Sequence, residues 1–348
     1  MILIPIAVGL VFLIAGAEVL IGGASRLAQT FKISQLVIGL TVVAFGTSAP
    51  ELAVSVRAAA GGNPEIALGN VLGSNIFNVL LILGLSALIR PLGVSRKVVR
   101  LDVPIMIAVS LLFVFLAWNG SIAAWEGILL LVSGLAYILF QVREGRRDET
   151  PEDAQATPPA GGLGWAVARV GIGIVMLTMG SRWLVDGASQ LARSLGVSDL
   201  VIGLTVIAAG TSMPEVATSV MASLRGSRDI AVGNVVGSNV FNILWVLGLG
   251  AVVGGGIPIS EAAWRFDVPV MVVAALACLP IFFTGYVIAR WEGALFFGYY
   301  VAYTAFIVLA ATQSPGLRAF RVAMSGFVIP LTVVTLAVIT WKSLRSRS

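Results

Sequence analysis

Two glutamates carry most of the chemistry this sequence offers. Glu51 and Glu215 each close a six-residue motif, Gly46-Thr47-Ser48-Ala49-Pro50-Glu51 and Gly210-Thr211-Ser212-Met213-Pro214-Glu215, and each motif lies in the middle of a long apolar run. An ionisable group at the centre of a bilayer costs at least about 2.5–3.5 kcal/mol, so its presence there points to a functional site. A protonated glutamate bonded to a neighbouring helix would account for one such acid, but not for the same polar escort around both. Proline removes a backbone donor and pushes away the carbonyl four residues earlier, here that of Gly46 or Gly210. The carbonyls from Ala44 to Gly46 and from Ala208 to Gly210 are therefore expected to leave the helical bonding pattern. The hydroxyls of Thr47, Ser48, Thr211 and Ser212 add neutral oxygens beside them.

A second motif follows each glutamate: Gly69-Asn70 then Gly73-Ser74-Asn75-Ile76-Phe77-Asn78, and Gly233-Asn234 then Gly237-Ser238-Asn239-Val240-Phe241-Asn242. Residues four apart share a helix face, which groups Ser74 with Asn78 and Ser238 with Asn242 as ligand candidates. Asn75 and Asn239 read as interhelical contacts, and the glycines allow close approach of neighbouring helices. Every candidate ligand atom is an oxygen. Hard cations with flexible oxygen shells fit such a set, calcium above all with its 6–8 ligands, and sodium accepts similar neutral oxygens. Two negative charges balance one divalent ion or two or more monovalent ones. Two uncompensated charges are costly to seal away from water, which is a physical reason for obligatory exchange of one cargo for another.

The elements that hold these residues are membrane helices. Of 348 residues, 58% are hydrophobic and 11% charged, against about 45–50% and about 25% in soluble domains. A soluble globular enzyme is excluded by that composition. The chain has no histidine and one cysteine, Cys278. That leaves no internal disulfide framework, no histidine-based acid–base catalysis and no Cys- or His-ligated zinc. Basic residues sit between apolar runs rather than in patches, so the formal charge of +5 encodes orientation, not a nucleic-acid partner. Runs near 3–25, 35–60, 65–89, 99–118 and 123–142 read as five spans, and those near 165–194, 199–224, 229–254, 265–288 and 292–312 as five more. An eleventh runs over 320–341. The first run has no basic residue ahead of it and contains Glu18, so it reads as a retained helix rather than a cleaved leader. Residues 143–164, charged and proline-bearing, read as a cytoplasmic linker. With the N-terminus outside, basic residues divide 15 inside to 5 outside, which favours N-out and C-in.

Residues 36–84 and 200–248 align without a gap, with 31 identities in 49 positions. Weaker echoes pair Asp102-Val-Pro with Asp267-Val-Pro and Trp125-Glu126-Gly127 with Trp291-Glu292-Gly293. Each copy is thus a five-helix repeat, 1–142 and 165–312, followed by an extra helix and basic tail at 313–348. After five crossings the chain is on the opposite side, so the second copy enters upside down. That is the inverted-repeat plan of secondary transporters, with substrate at the repeat interface near the midplane. Duplication alone could build a bundle, but a scaffold need preserve only its apolar pattern, and here the polar residues match as closely. The fold class expected is all-α integral membrane: a ten-helix core of two inverted repeats plus a C-terminal transmembrane helix.

The motif pairs GTSAPE/GTSMPE and GNVLGSNIFN/GNVVGSNVFN resemble the two alpha-repeats of the sodium/calcium exchanger family, of prokaryotic type, over roughly residues 1–312. The resemblance implies a carrier, not an enzyme, exchanging calcium for sodium across the cytoplasmic membrane by alternating access. Glu51 and Glu215 would bind calcium and share in the sodium sites. Thr47, Ser48, Ser74, Thr211, Ser212 and Ser238 would complete the cluster with the carbonyls of Ala44 and Ala208, and Asn78 and Asn242 would face its centre. The first and sixth helices resemble the pair thought to slide across the core as a gate. The partners expected are the two ions and the lipid bilayer, with no cofactor and no protein partner. Some relatives carry Asp where Asn242 stands, and that acid is tied to potassium, so Asn242 argues against potassium co-transport. The linker is too short for a calcium-sensing domain. Glu18, whose repeat partner is Arg182, reads as an interhelical polar contact more than a gate. Asp102, Asp186, Asp267, Glu126 and Glu292 read as solvated or helix-capping. A proton/calcium exchanger of the same superfamily is the nearest alternative, since paired glutamates can take up protons. A cation channel and a membrane-embedded hydrolase fit less well, the last because no nucleophile–base pair stands out.

Overall fold

The computed structural model describes residues 3–145 and 162–345; most of the linker read at 143–164 and the last three residues of the basic tail lie outside the described residues. The first repeat runs α1 (Leu3–Phe31), α2 (Gln35–Thr47), α3 (Ala49–Ala60), α4 (Pro64–Ile89), β1 (Leu92–Gly93), α5 (Val98–Asn119), β2 (Ser121–Ala123) and α6 (Ala124–Gly145). The second runs α7 (Gly162–Ser194), α8 (residues 199–210), α9 (Met213–Leu224), α10 (Arg228–Gly254), β3 (Gly256–Pro258), α11 (Ala263–Phe283), β4 (Val287–Ile288) and α12 (Arg290–Ala311), and α13 (Gly316–Trp341) follows.

Among the described residues, nine helices are each long and apolar enough to cross a bilayer, and α2 with α3, bent by 46°, makes a tenth span. The run at 199–224 is divided in the same way, into α8 and α9. The proline motif therefore marks a full break in each span. Ser48 (φ −81°, ψ 7°) and Ser212 (φ −87°, ψ 8°) leave helical geometry, and a new helix starts at the next residue. Pro50 and Pro214 stand in the first turn of that new helix, where a missing N–H costs nothing.

The two repeats interlock rather than sit side by side. Strand β1 pairs antiparallel with β4, Leu92 opposite Ile288, and β2 with β3, Ile122 opposite Ile257, so each two-stranded ribbon joins one repeat to the other. Helix α4 meets α12 where a Cβ on Gly84 would lie 3.0 Å from the Gly293 carbonyl, and α6 meets α10 where one on Gly248 would lie 3.1 Å from that of Gly127. These are mirrored contacts, third helix of one repeat on fifth helix of the other. The backbone also opens into wider π-helical turns at mirrored places, 39–43 with 203–207, 78–83 with 242–247, and 98–102 with 263–267. Such turns recur at functional sites.

Helices α1 and α7, the longest at 29 and 33 residues, pack along a seam of glycines. Gly9, Gly16 and Gly23 face α7, and Gly173, Gly180 and Gly187 face α1. The spacing of seven in each helix holds the seam on one side of a pair that wraps gently. A Cβ at Gly16 would lie 2.9 Å from that of Met176, and one at Gly180 would lie 2.8 Å from the Leu13 nitrogen. Gly180→Leu should therefore cost about 1–3 kcal/mol by overpacking and lower the unfolding temperature of the detergent-solubilised protein. Gly171→Ala in the same helix, with nothing within 4 Å of its added Cβ, should leave that temperature unchanged or raise it.

Candidate cation-binding site

The two helix breaks meet face to face in the protein interior. Ser48, the break residue of the first repeat, donates to Glu215 Oε1 at 3.0 Å, and Ser212, its mirror, donates to Glu51 Oε1 at 2.8 Å. Both carboxyl groups are 1% exposed. Each glutamate sits in the first turn of the helix its proline starts, where the helix end favours negative charge. Ser74 Oγ lies 3.1 Å from Ser212 Oγ, which brings α4 into the cluster.

Five buried oxygens of the candidate set have no protein partner: Glu51 Oε2, Glu215 Oε2, Asn78 Oδ1, Asn242 Oδ1 and Ser238 Oγ. A buried unsatisfied acceptor costs about 1–3 kcal/mol, and more when charged. All five are acceptors of the kind a hard cation takes, so the orphaned set fits a cation cargo.

Behind this layer the amides form a network between α4 and α10. Asn78 donates to Asn239 Oδ1 (3.2 Å), Asn242 donates to Asn75 Oδ1 (3.1 Å), and Asn75 donates to the Asn239 carbonyl (3.3 Å). Asn239 further approaches Met106 Sδ at 3.4 Å, and Asn75 approaches Met271 Sδ at 3.7 Å. Asn75 and Asn239 thus make the interhelical contacts expected of them. The network uses amide nitrogens of Asn78 and Asn242 and leaves their oxygens over.

Sequence reasoning missed the residues that brace the breaks. Asn70 donates to the Glu51 carbonyl (3.1 Å) and to Ser55 (2.9 Å), and accepts from Thr211 (3.3 Å). In the mirror, Asn234 donates to Ser219 (2.9 Å), and its Oδ1 lies 3.1 Å from Thr47 Oγ1. The signal was present, since Asn70/Asn234 and Ser55/Ser219 are polar identities of the aligned repeats.

One backbone expectation is corrected. The Ala44 carbonyl is not released, because it accepts from the Ser48 N–H (3.0 Å) and lies 3.3 Å from Thr47 Oγ1. Proline frees the carbonyl exactly one helical turn back, that of Gly46 or Gly210. On the second side Ser181 of α7 donates to the Gly210 carbonyl, whereas the equivalent residue of α1 is Ala17, which has no hydroxyl.

The site is not symmetric in its access. Ala44 is 1% exposed and Thr47 fully buried, whereas Ala208 is exposed and Thr211 partly so. A cleft of about 300 Å³ between α3, α7 and α8 reaches Pro50 and Thr211, and Arg182 and Asp186 line it. On the other side of the bilayer, past the end of α9, Arg225 is ion-paired with Glu18 of α1. Glu18 is an interhelical contact, as read, with a partner that spacing alone did not name.

The remaining acids divide. Glu126 and Glu292 cap helix starts, accepting from the N–H of Ala123 (2.7 Å) and Ala289 (2.8 Å), yet they are buried. Asp102 is buried too, accepting from Gln141 at 2.6 Å, and Asp267 accepts from Tyr303 at 2.8 Å. The solvated reading of Asp102 is corrected, because its π-helical turn faces inward against α6.

Broken helices, mirrored repeats and paired buried carboxylates define an inverted-repeat cation carrier. The family profile described as "Sodium/calcium exchanger protein" matches residues 1–143 and 165–309, and the chain belongs to that family of cation/calcium antiporters. It is 42% identical over 281 residues to the putative antiporter CaxA of Alkalimonas amylolytica, covering 79% of this chain and 87% of that protein. It is 32% identical over 333 residues to the sodium/calcium exchanger MaX1 of Methanosarcina acetivorans, covering 85% and 95%. The solved sodium-calcium exchanger NCX_Mj, in 10 mM Na⁺ without Ca²⁺, superposes with a TM-score of 0.75 at 32% identity, over 88% of this chain and 99% of that one.

Removing one brace tests whether it holds the site. Asn234→Ala should leave Ser219 and Thr47 without their amide partner and weaken calcium binding by about 5- to 30-fold, the equivalent of about 1–2 kcal/mol. Calcium titration of the purified protein by calorimetry measures this, and the protein should stay folded.

Proposed function

We propose that the protein moves calcium out of the cell in exchange for entering sodium, by alternating access to one site built on Glu51 and Glu215. The observation that carries the reading is the crossed pair of serine–glutamate hydrogen bonds, which brings one carboxyl from each repeat to a shared point with their second oxygens unpaired. Two carboxylates balance one calcium ion. The hydroxyls of Thr47, Ser48, Ser74, Thr211, Ser212 and Ser238, the amide oxygens of Asn78 and Asn242, the Ala208 carbonyl and the lone pair that the Ser48 N–H leaves on the Ala44 carbonyl supply the neutral oxygens both ions need. Asn242 in place of an acid leaves no extra charge for potassium. The relative named a sodium/calcium exchanger and the solved exchanger of the same name support the choice of ions.

With the N-terminus outside, the cleft at Pro50 and Thr211 opens outward, and the Glu18–Arg225 pair lies on the cytoplasmic side. The mirrored state would bring α1 and α7 across the core, closing the first mouth and opening the second. The cytoplasmic membrane is the location proposed; an Escherichia coli relative at 41% identity, YrbG, is named an inner membrane protein.

Calcium uptake into sodium-loaded vesicles is the test. Glu51→Gln and Glu215→Gln should each reduce uptake to that of protein-free vesicles without loss of fold, and near-normal uptake by both would sink the reading. Uptake by wild type driven by a proton gradient but not by sodium would replace it with proton/calcium exchange. Glu18→Gln, which removes the ion pair but no proposed ligand, should shift the balance of states. Labelling of a cysteine placed at Ile207, which lines the cleft, should slow at least several-fold relative to the same cysteine with Glu18 intact.

A further inference from the structure

Helix α13 touches the exchanger core but buries none of its own apolar span. Its polar tie is the Tyr299 hydroxyl of α12, 2.7 Å from Thr332 Oγ1 and 3.4 Å from the Val328 carbonyl. On either side of that tie the helices enclose two cavities of about 520 and 770 Å³, which share Leu80, Val270, Tyr299 and Ile329 as walls and so form one groove. The larger cavity lies between α11, α12 and α13 and is walled almost wholly by carbon, from Pro269 to Trp341. The smaller one is different at its end. Arg265 of α11 and Arg321 of α13 both line it. Arg321 lies 5.4 Å over the Phe306 ring, and Arg265 pairs with Glu261 at 2.5 Å while remaining 75% exposed. The nearby Asp267 is already engaged by the Tyr303 hydroxyl at 2.8 Å.

Physical chemistry selects the occupant. Transmembrane helices associate by direct packing, without a hydrophobic force between them, so a helix separated from its neighbours by these cavities forfeits dispersion contacts along its inner face. Water has almost no polar partner in the larger cavity, which rules it out as filler. The apolar matter that surrounds a membrane helix is acyl chain. From Arg321 to Trp341 the helix rises about 30 Å, the thickness of the hydrocarbon core, so the arginine end of the groove lies at a headgroup layer. A guanidinium over an aromatic ring keeps its charge and its remaining donors for a phosphate.

We propose that the groove holds an anionic phospholipid, its phosphate between Arg265 and Arg321 and an acyl chain running between α11, α12 and α13. The lipid completes the packing of α13 on the core. Its tail touches Leu80, two residues beyond Asn78 in the same helix. This proposal requires only that the chain spans the membrane and does not depend on which ions it carries.

The test uses the full-length protein, reconstituted in vesicles of equal phosphatidylglycerol and phosphatidylcholine, extracted in mild detergent and weighed by native mass spectrometry. Arg321 together with Arg265, whose charge Glu261 partly offsets, corresponds to about 5- to 30-fold preference. Wild type should retain one phosphatidylglycerol with a preference of that order, and R265Q/R321Q should lose the preference. Both positions are partly exposed to solvent or headgroups, so the double variant is expected to fold. Ala337→Trp, in the wall of the larger cavity, should cut retention of both lipids. Equal retention of the two lipids by wild type, an undiminished preference in R265Q/R321Q, unchanged retention in Ala337→Trp, or a lipid-free dimer in place of the adduct would each overturn the proposal.

Discussion

The structure turns on two carboxyl groups buried at mid-depth in a membrane protein, each held by a hydroxyl from the opposite repeat. A buried carboxylate is tolerable only if donors and counter-charge reach it. The break at Ser48 and Ser212 supplies the donors, because the residue that ends one helix turns its hydroxyl to the acid that begins the other repeat's next helix. The same break puts each acid in the first turn of a helix, whose end favours negative charge. The counter-charge is left to the cargo. Everything else can be traced to keeping these two breaks opposed.

That task explains the interlocked repeats. Two ribbons and two pairs of mirrored glycine contacts stitch one repeat to the other, and the asparagine network fastens α4 to α10 directly behind the acids. This inner unit is tied by directional bonds. Helices α1 and α7 differ. They meet along glycines that receive the backbone and side chains of the facing helix, such as Leu20 and Met176, so they hold each other closely while the pair presents long apolar surfaces to the core. A rigid centre and a paired outer element are what alternating access by rocking or sliding requires.

Symmetry is broken where direction matters. Ala44 and Thr47 are sealed while their mirrors Ala208 and Thr211 are open. Ser181 grips the break at Gly210, and its counterpart Ala17 cannot do the same at Gly46. Glu18 and Arg182 occupy equivalent positions with opposite charge, and Glu18 is ion-paired with Arg225. The first difference is one of conformation, since the residues are identical in the two copies; the other two are side chains that differ between the copies, and they give the two mouths of the site different chemistry. Among the described residues helix α13 is the largest asymmetry, since there only the second repeat has such a neighbour.

Much of this was legible in the residues alone. The membrane class followed from an excess of apolar residues that no water-facing surface could carry, and the inversion followed from an odd number of helices per copy. The glutamates and their hydroxyl escort were found because polar residues inside a membrane are costly and these recurred at a fixed offset. What the sequence could not supply was partnership across the repeats. Whether Ser48 would serve Glu51 or Glu215, and that Arg225 would find Glu18, depends on how distant segments pack. The fate of a proline carbonyl depends on whether the chain bends or stops, which local pattern leaves open; here packing of two broken spans against each other made it stop. Residue types and their period determined which atoms could bind a cation, because those are local properties of composition and helix geometry. Tertiary structure alone decided which of them meet, since contact between residues more than a hundred positions apart is set by the packing of whole helices.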